Sequence, residues 1–331
     1  LLSYTETQKR ISCQEVRPLN RIALGITRDG GLTMNGSSSL SYFSNWAFGQ
    51  LCRAISAPAN YLRSLPVDMA RNCLQYGLEN SSEECNVLTR DHSLQNGGVG
   101  ERYASAFTSA SYGRIWDADV VESLMSAVQG NSWHVPKARR SNGSDNSGLY
   151  ASDHDMFAFL VNGENPIEVG DSKLGRGFFC WNSETGASTF GLTTFLYNYV
   201  CGNHIVWGAE NIQGLKIYHR SQAPERFYRA AIPILNRFVE NRAVDENVRS
   251  VADSAMNQKL GSNVEDVLDW FKNKAFTKKE VSGAWETGLA EGNDVTSLWG
   301  MVQGLTAYAR DMKYVDNRVN LERRAGMLLA K

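Results

Sequence analysis

The stretch from Leu174 to Trp207, LGRGFFCWNSETGASTFGLTTFLYNYVCGNHIVW, most constrains what this chain can fold into. It is the densest aromatic, glycine and cysteine region, and its pattern changes sharply along its length. GRGFFCWNSE alternates like a strand, in which side chains two apart share a face. STFGLTTFLYNYVC carries apolar residues at helical spacing and predicts a helix beginning near Ala187. GNHIVWG reads as a turn leading into a second strand. Asn182, Ser183 and Glu184 precede the predicted helix, where their side chains could accept from its free N–H groups.

Before this stretch, NRIALGIT, RDGG and LTMNG give strand, turn and return strand, a hairpin within residues 12–36. Phe43, Trp46, Ala47, Leu51, Ala54 and Ile55 recur at helical spacing up to Pro58, and a second helix spans Val67 to Glu79. CNVLTRD is strand-like, and Ala118 to Gln129 is helical. NSWHVPKARRSNGSDNSG is a polar loop, GLYASDHDMFAFLVNG a strand and ENPIEVGDSKLGRG a loop. NIQGLKIYHR alternates again. Pro224 to Glu240 predicts a helix kinked at Pro233, because proline cannot donate to the helical ladder. Further helices follow over 244–256, 262–274, from Thr277, 295–311 and 321–329. Thr277 with Glu280 three residues on forms a capping-box signature. Strands dominate the first two thirds and helices the last. The expected fold class is therefore α+β, a mixed or antiparallel sheet packed with helices, and not an alternating βαβ array. The expected organisation is an α+β core domain over 1–260 and a helical region over 261–331 packed on it.

A formal net charge of −1 over 331 residues excludes a global basic field, so any nucleic-acid footprint must be local. The six cysteines are scattered without a CxxC pair and read as reduced thiols of a cytoplasmic protein. No apolar run approaches the roughly 20 residues that span a bilayer. LLSYTETQKR lacks the pattern of a signal peptide.

No catalytic signature emerges. Cys180, Cys201, His204 and His219 offer zinc-ligand chemistry, but without knuckle spacing, and Cys201 suits a buried structural thiol. Cys201 and His204 lie three apart, too close along a turn for a productive thiol–imidazole pair. Asp153, Asp155, Glu164, Glu168 and Asp171 cluster in sequence, yet a solvated loop accounts for them. Gly97, Gly98 and Gly100 could cradle a phosphate, but the Gly-Lys-Ser/Thr ending is missing and a plain strand connection is the simpler reading. No metal or cofactor is expected.

Basic residues interleaved with aromatics are the stronger pattern. Lys137, Arg139 and Arg140 form one group. Lys216, His219, Arg220, Arg226 and Arg229 form another, beside Tyr218, Phe227 and Tyr228. Arg102–Tyr103, and Arg114 with Tyr112 and Trp116, repeat the theme. Cations contact phosphates while aromatic faces stack on unpaired bases. The competing reading is a strand edge with snorkelling arginines.

The central stretch also resembles the core signature of the phage/plasmid-like proteins classed as domain of unknown function nine-three-two. The resemblance is carried by Asn182, Ser183, Glu184, Gly186, Ala187 and Ser188, then by Val200, Cys201 and Asn203. Thr185 and His204 depart from the family pattern. AFGQLCRAISAPANYLRSLP, ERYASAFTSA and TSLWGMVQGLTAYARD resemble further family segments, so the similarity covers most of residues 20–325. It implies a bacteriophage, prophage or plasmid setting in a bacterial host, and no catalytic mechanism. In that setting a cofactor-free, oligomeric DNA-binding protein, one that anneals single strands during recombination, is the leading expectation. The alternative is a protein-interaction or structural phage protein, acting against host defences or in assembly, with an exposed apolar patch from Trp285, Leu298, Trp299 and Tyr308.

Overall fold

A computed structural model of the chain describes residues 1–35, 40–94, 101–130, 132–139, 145–170, 172–198, 203–205, 215–234, 245–312 and 315–329. Two antiparallel-rich sheets and a helical cluster make up this α+β fold. The first sheet is built from β1 (Ser12–Pro18), β2 (Leu24–Ile26), β3 (Leu32–Asn35), β4 (Leu40–Phe43), β5 (Glu84–Asp91) and β6 (Arg102–Ser109). Its spatial order is β1-β5-β6-β4-β3-β2. Only the β4–β6 pair is parallel, as two strands separated by a helical excursion permit. That excursion is α2 (Asn45–Ala54), α3 (Ala59–Ser64) and α4 (Val67–Glu79). It buries Leu51, Leu62, Leu74 and Leu78 against Leu19, Ile22, Val87 and Phe107 of the sheet side. Ser44 caps α2 by accepting from the Ala47 N–H. A helix, α1 (Leu2–Arg10), precedes β1 and packs near α5 (Asp117–Val128).

The second sheet takes its long strands from the central stretch and its upstream neighbour. They are β11 (Met156–Val169), β12 (Ser172–Asn182) and β13 (Phe190–Asn198), with β7 (Trp133–His134), β10 (Leu149–Ala151), β14 (Asn203–Ile205) and β15 (Leu215–Ile217) as short additions. β8 (Lys137–Arg139) and β9 (Asp145–Ser147) form a separate hairpin. One sheet face packs Met156, Phe178, Phe190 and Ile217 on α5 and on Ala223 and Phe227. The other carries a layer of Phe157, Phe159, Phe179, Phe195 and Tyr197.

Here the helix expected from Ala187 is corrected. Phe190 to Asn198 is a strand paired with β12 along its length, from Trp181↔Gly191 to Leu174↔Asn198. The segment is apolar on both faces because both faces of the sheet are covered, and such a run mimics a helical stripe. Thr193, Thr194 and the aromatic residues around them favour the extended chain. ENPIEVGDSKLGRG is likewise mostly strand, since β11 runs on to Val169 and β12 starts at Ser172. Of the helix expected over 224–240, α6 (Ala223–Arg226) is followed by a π-turn over Phe227–Ala231, upstream of Pro233, and residues 235–240 lie outside the described residues. An inserted residue of this kind accommodates a proline that lacks its N–H.

The helical cluster comprises α7 (Asp245–Asn257), α8 (Val264–Phe271), α9 (Lys278–Ala290), α10 (Leu298–Arg310) and α11 (Val315–Met327). The capping box of Thr277 and Glu280 forms as expected. Ala252 and Ala255 of α7 share a core with α8–α11 and with Ile167, Leu174 and Leu196 at one end of the second sheet. The helical layer therefore starts upstream of residue 261. Leu298 and Trp299 are buried in that core, with Trp285 and Tyr308 packed against it, so these four residues do not form the expected exposed patch.

Candidate nucleic-acid interface

Asn182, Ser183, Glu184 and Thr185 all lie buried at the end of β12, where the two sheets meet. Polar side chains in such a place must find partners, and each of these makes at least one hydrogen bond, the Asn182 Oδ1 alone staying without one among the described residues. Glu184 forms an ion pair with Arg90 of β5, and both groups are almost wholly buried. Its other oxygen accepts from the Asp117 backbone N–H at 2.8 Å. The Asn182 amide donates to the Ile115 carbonyl at 2.8 Å and to Asp117 at 2.7 Å. Ser183 donates to the His154 carbonyl at 2.5 Å and accepts from the Ala187 N–H at 2.9 Å. Trp46 and Gln50 of α2 both donate to the Thr185 carbonyl, at 3.1 and 2.8 Å. The acceptors that were expected to cap a helix instead close the turn to β13, with Gly186 at φ +82°, and cross-link the sheets. Cys201 lies outside the described residues, and Asn203 pairs across from Asn198 in the β13–β14 ladder.

This hub fixes the crossing segment 112–117. The Tyr112 hydroxyl donates to the Ser183 carbonyl at 2.9 Å. Asp117, buried, has its carboxyl raised well above 3.8, by burial first and by the Glu184 charge next. The crossing segment in turn seats the basic segment that follows β15. His219 stacks on Tyr112 at 4.9 Å, and its Nδ1 meets the Gly113 carbonyl at 3.1 Å. Burial is the main cause that lowers this imidazole to about 4, so Nδ1 carries the proton and donates. Gly113 is required by close approach: a Cβ there would lie 1.9 Å from the Arg220 carbonyl oxygen.

With His219 as its anchor, the segment leaves Lys216, Tyr218, Arg220, Arg226, Tyr228 and Arg229 exposed. Lys216 lies 5.2 Å over the Tyr218 ring. A cleft of about 300 Å³ separates the segment from the crossing chain, lined by Gln14, Tyr112, Arg114, Trp116, Asp119 and Tyr228 among others. Arg114 is not a surface cation. It is 4% exposed, donates from Nε to Gln14 at 3.1 Å and from Nη2 to Asn86 at 3.3 Å, and packs by the Tyr112 and Trp116 rings. Burial lowers it to about 10. Gln14 and Asn86 belong to strands 100 and 28 residues away, so no local sequence signal pointed to them.

The other expected basic residues are not gathered here. Arg102 and Tyr103 start β6 at the end remote from Ser109, about 23 Å along the strand. Arg102 lies 3.5 Å from Asp91, and the Tyr103 hydroxyl donates to Glu101 at 2.5 Å. Lys137 and Arg139 lie on β8, but their side chains, and the whole of Arg140, lie outside the described residues. The same holds for the Gly97–Gly100 loop. A second concavity of about 620 Å³ beside Trp46 is lined by Arg53 and Arg63, neither of which stood out in the sequence. Arg63 is already held by the Asn45 carbonyl at 3.0 Å and by the Phe48 ring.

Among the described residues no group of histidine, cysteine or carboxylate side chains could hold a metal ion. Cys180 is buried, and His219 is turned to Gly113. The acidic residues are strung out along β11, with Asp155 buried before its start and Glu168 exposed near its far end. No helix among the described residues is long and apolar enough to cross a membrane. Comparison of the chain with protein-family models, with curated proteins and with solved structures gave no match in any of the three.

Proposed function

We propose that this chain is a non-catalytic, cofactor-free single-stranded DNA-binding protein, of the kind that anneals strands for a phage or plasmid, and that it acts as a homo-oligomer in a bacterial cytoplasm. The phage setting rests on the motif resemblance around Asn182–Asn203. The observation that carries the binding reading is the exposed run Lys216, Tyr218, Arg220, Arg226, Tyr228 and Arg229, displayed on a segment anchored to the core through His219. Four cations and two tyrosine faces within 14 residues supply phosphate contacts and stacking platforms together. A net charge of −1 over the whole chain gives little non-specific attraction, so contact would concentrate on this segment.

Fluorescence anisotropy with labelled single-stranded and duplex oligonucleotides across a salt series tests this. The expected outcome is salt-sensitive binding that prefers the single strand. The triple variant Arg220→Ala, Arg226→Ala, Arg229→Ala should flatten the logarithmic salt slope by about 2, at roughly 0.7 per lost phosphate contact. Absence of binding at low salt would remove nucleic acid from the account.

A further inference from the structure

The cleft beside the basic segment contains a charge that the protein does not compensate. Arg114 is 4% exposed, yet its bonded partners are the neutral amide oxygens of Gln14 and Asn86. Its Nη1 has no partner among the described residues. The nearby carboxylates are already engaged: Asp119 on the cleft wall lies 2.5 Å from Lys9, and Glu184 holds Arg90. A guanidinium removed from water without a counter-ion carries a desolvation cost that an anion would offset. Gln14, which occupies Nε, is an exposed residue of the cleft wall and can be displaced without opening the core.

We propose that this cleft is a phosphate-binding site in which Arg114 holds the anion and the incoming phosphate oxygen displaces the Gln14 amide. Charge-assisted bonds to a guanidinium are shorter and roughly twice as strong as bonds to a neutral acceptor. Trp116 and Tyr228 on the wall suit a phosphate joined to an aromatic base, so the ligand class is a nucleotide. A free mononucleotide and one nucleotide of a strand present the same chemistry. Ser221, Pro224 and Phe227 of the basic segment also line the cleft, but the site does not depend on strand binding at the exposed arginines.

The test is thermal unfolding and calorimetric titration with inorganic phosphate and a nucleoside 5′-monophosphate, at ionic strength held constant with chloride. Wild type, Gln14→Ala and Gln14→Glu are compared. Phosphate and the monophosphate should raise the Tm of the wild type and of Gln14→Ala. Gln14→Glu supplies a resident carboxylate, so its ligand-free Tm should exceed that of wild type and its phosphate affinity should fall about tenfold or more. Displacement of the monophosphate by an oligonucleotide would assign the phosphate to a strand. Monophosphate binding that an oligonucleotide leaves intact would assign it to a free nucleotide, and both results uphold the site. A wild-type Tm that phosphate and the monophosphate leave unchanged would overturn it, as would a Gln14→Glu protein that responds like wild type. Either failure would leave oligonucleotide binding by the exposed arginines untouched, so the two readings fail separately.

Discussion

Asp117 and Glu184 place two carboxyls next to one buried arginine, and only one is matched to it. Glu184 carries the ion pair with Arg90, so Glu184→Gln should strand a buried charge and cost about 3–5 kcal/mol, read by urea denaturation. Asp117 behaves in the opposite sense. Its folded value is raised above 3.8, so its stabilising contribution is complete below that value and is lost as pH rises through the raised one. Asp117→Asn keeps the oxygen that accepts from Asn182 and cannot ionise. The variant should therefore gain stability relative to wild type as pH rises, and a Tm difference that stays flat with pH would refute this. Neither pairing was legible in the sequence. Residues 90 and 184 are 94 apart, and the motif around Glu184 carries no mark that its carboxylate faces a strand from the other sheet.

At the scale of elements, β13 shows where periodicity misleads. Phe190, Leu192, Leu196 and Phe195 can be read as one helical stripe, or as both faces of a strand buried on each side. Only tertiary packing decides between them: α5 lies on one face, and on the other the aromatic side chains of β11, β12 and β13 are buried together. The helical third was readable because its signals are local: Thr277 caps α9 as its spacing to Glu280 predicts, and Asn263 caps α8 from the residue just before it. Glu280 of that box also meets Arg324 of α11 at 2.5 Å. Glu280→Ala should then destabilise by about 1–2 kcal/mol, more than a lone cap at a free helix end, as measured by chemical denaturation. The basic segment depends on His219 in a pH-dependent way. Its folded value, about 4, lies below the ordinary 6.5, so its contribution is full above 6.5 and is lost as pH falls toward 4. His219→Phe keeps a ring against Tyr112 but cannot charge. Hydrogen-exchange protection factors of residues 215–229, corrected for the intrinsic pH dependence of amide exchange, should fall between pH 6.5 and 4 in wild type and stay level in the variant.

Across the whole molecule, composition and the order of elements were enough to place the chain in the α+β class. They could not show that the basic residues divide between an exposed segment, a buried cleft arginine and a remote strand end. That division depends on tertiary packing of the crossing segment 112–117 and of the chain that follows β15, to which local pattern gives no access. The triple arginine variant and Gln14→Glu probe the two nearer groups at separate positions, and their effects on Tm and on oligonucleotide affinity should be independent. The Arg90–Glu184 pair also has a meaning in time. All six strands of the first sheet lie within residues 12–109, so they leave the ribosome well before Glu184 does. At roughly 5–20 residues per second the 94 intervening residues take about 5–20 s to appear. Throughout that interval Arg90, on the interior strand β5, lacks its carboxylate partner, so the joining of the two sheets at this point waits on translation of the central stretch.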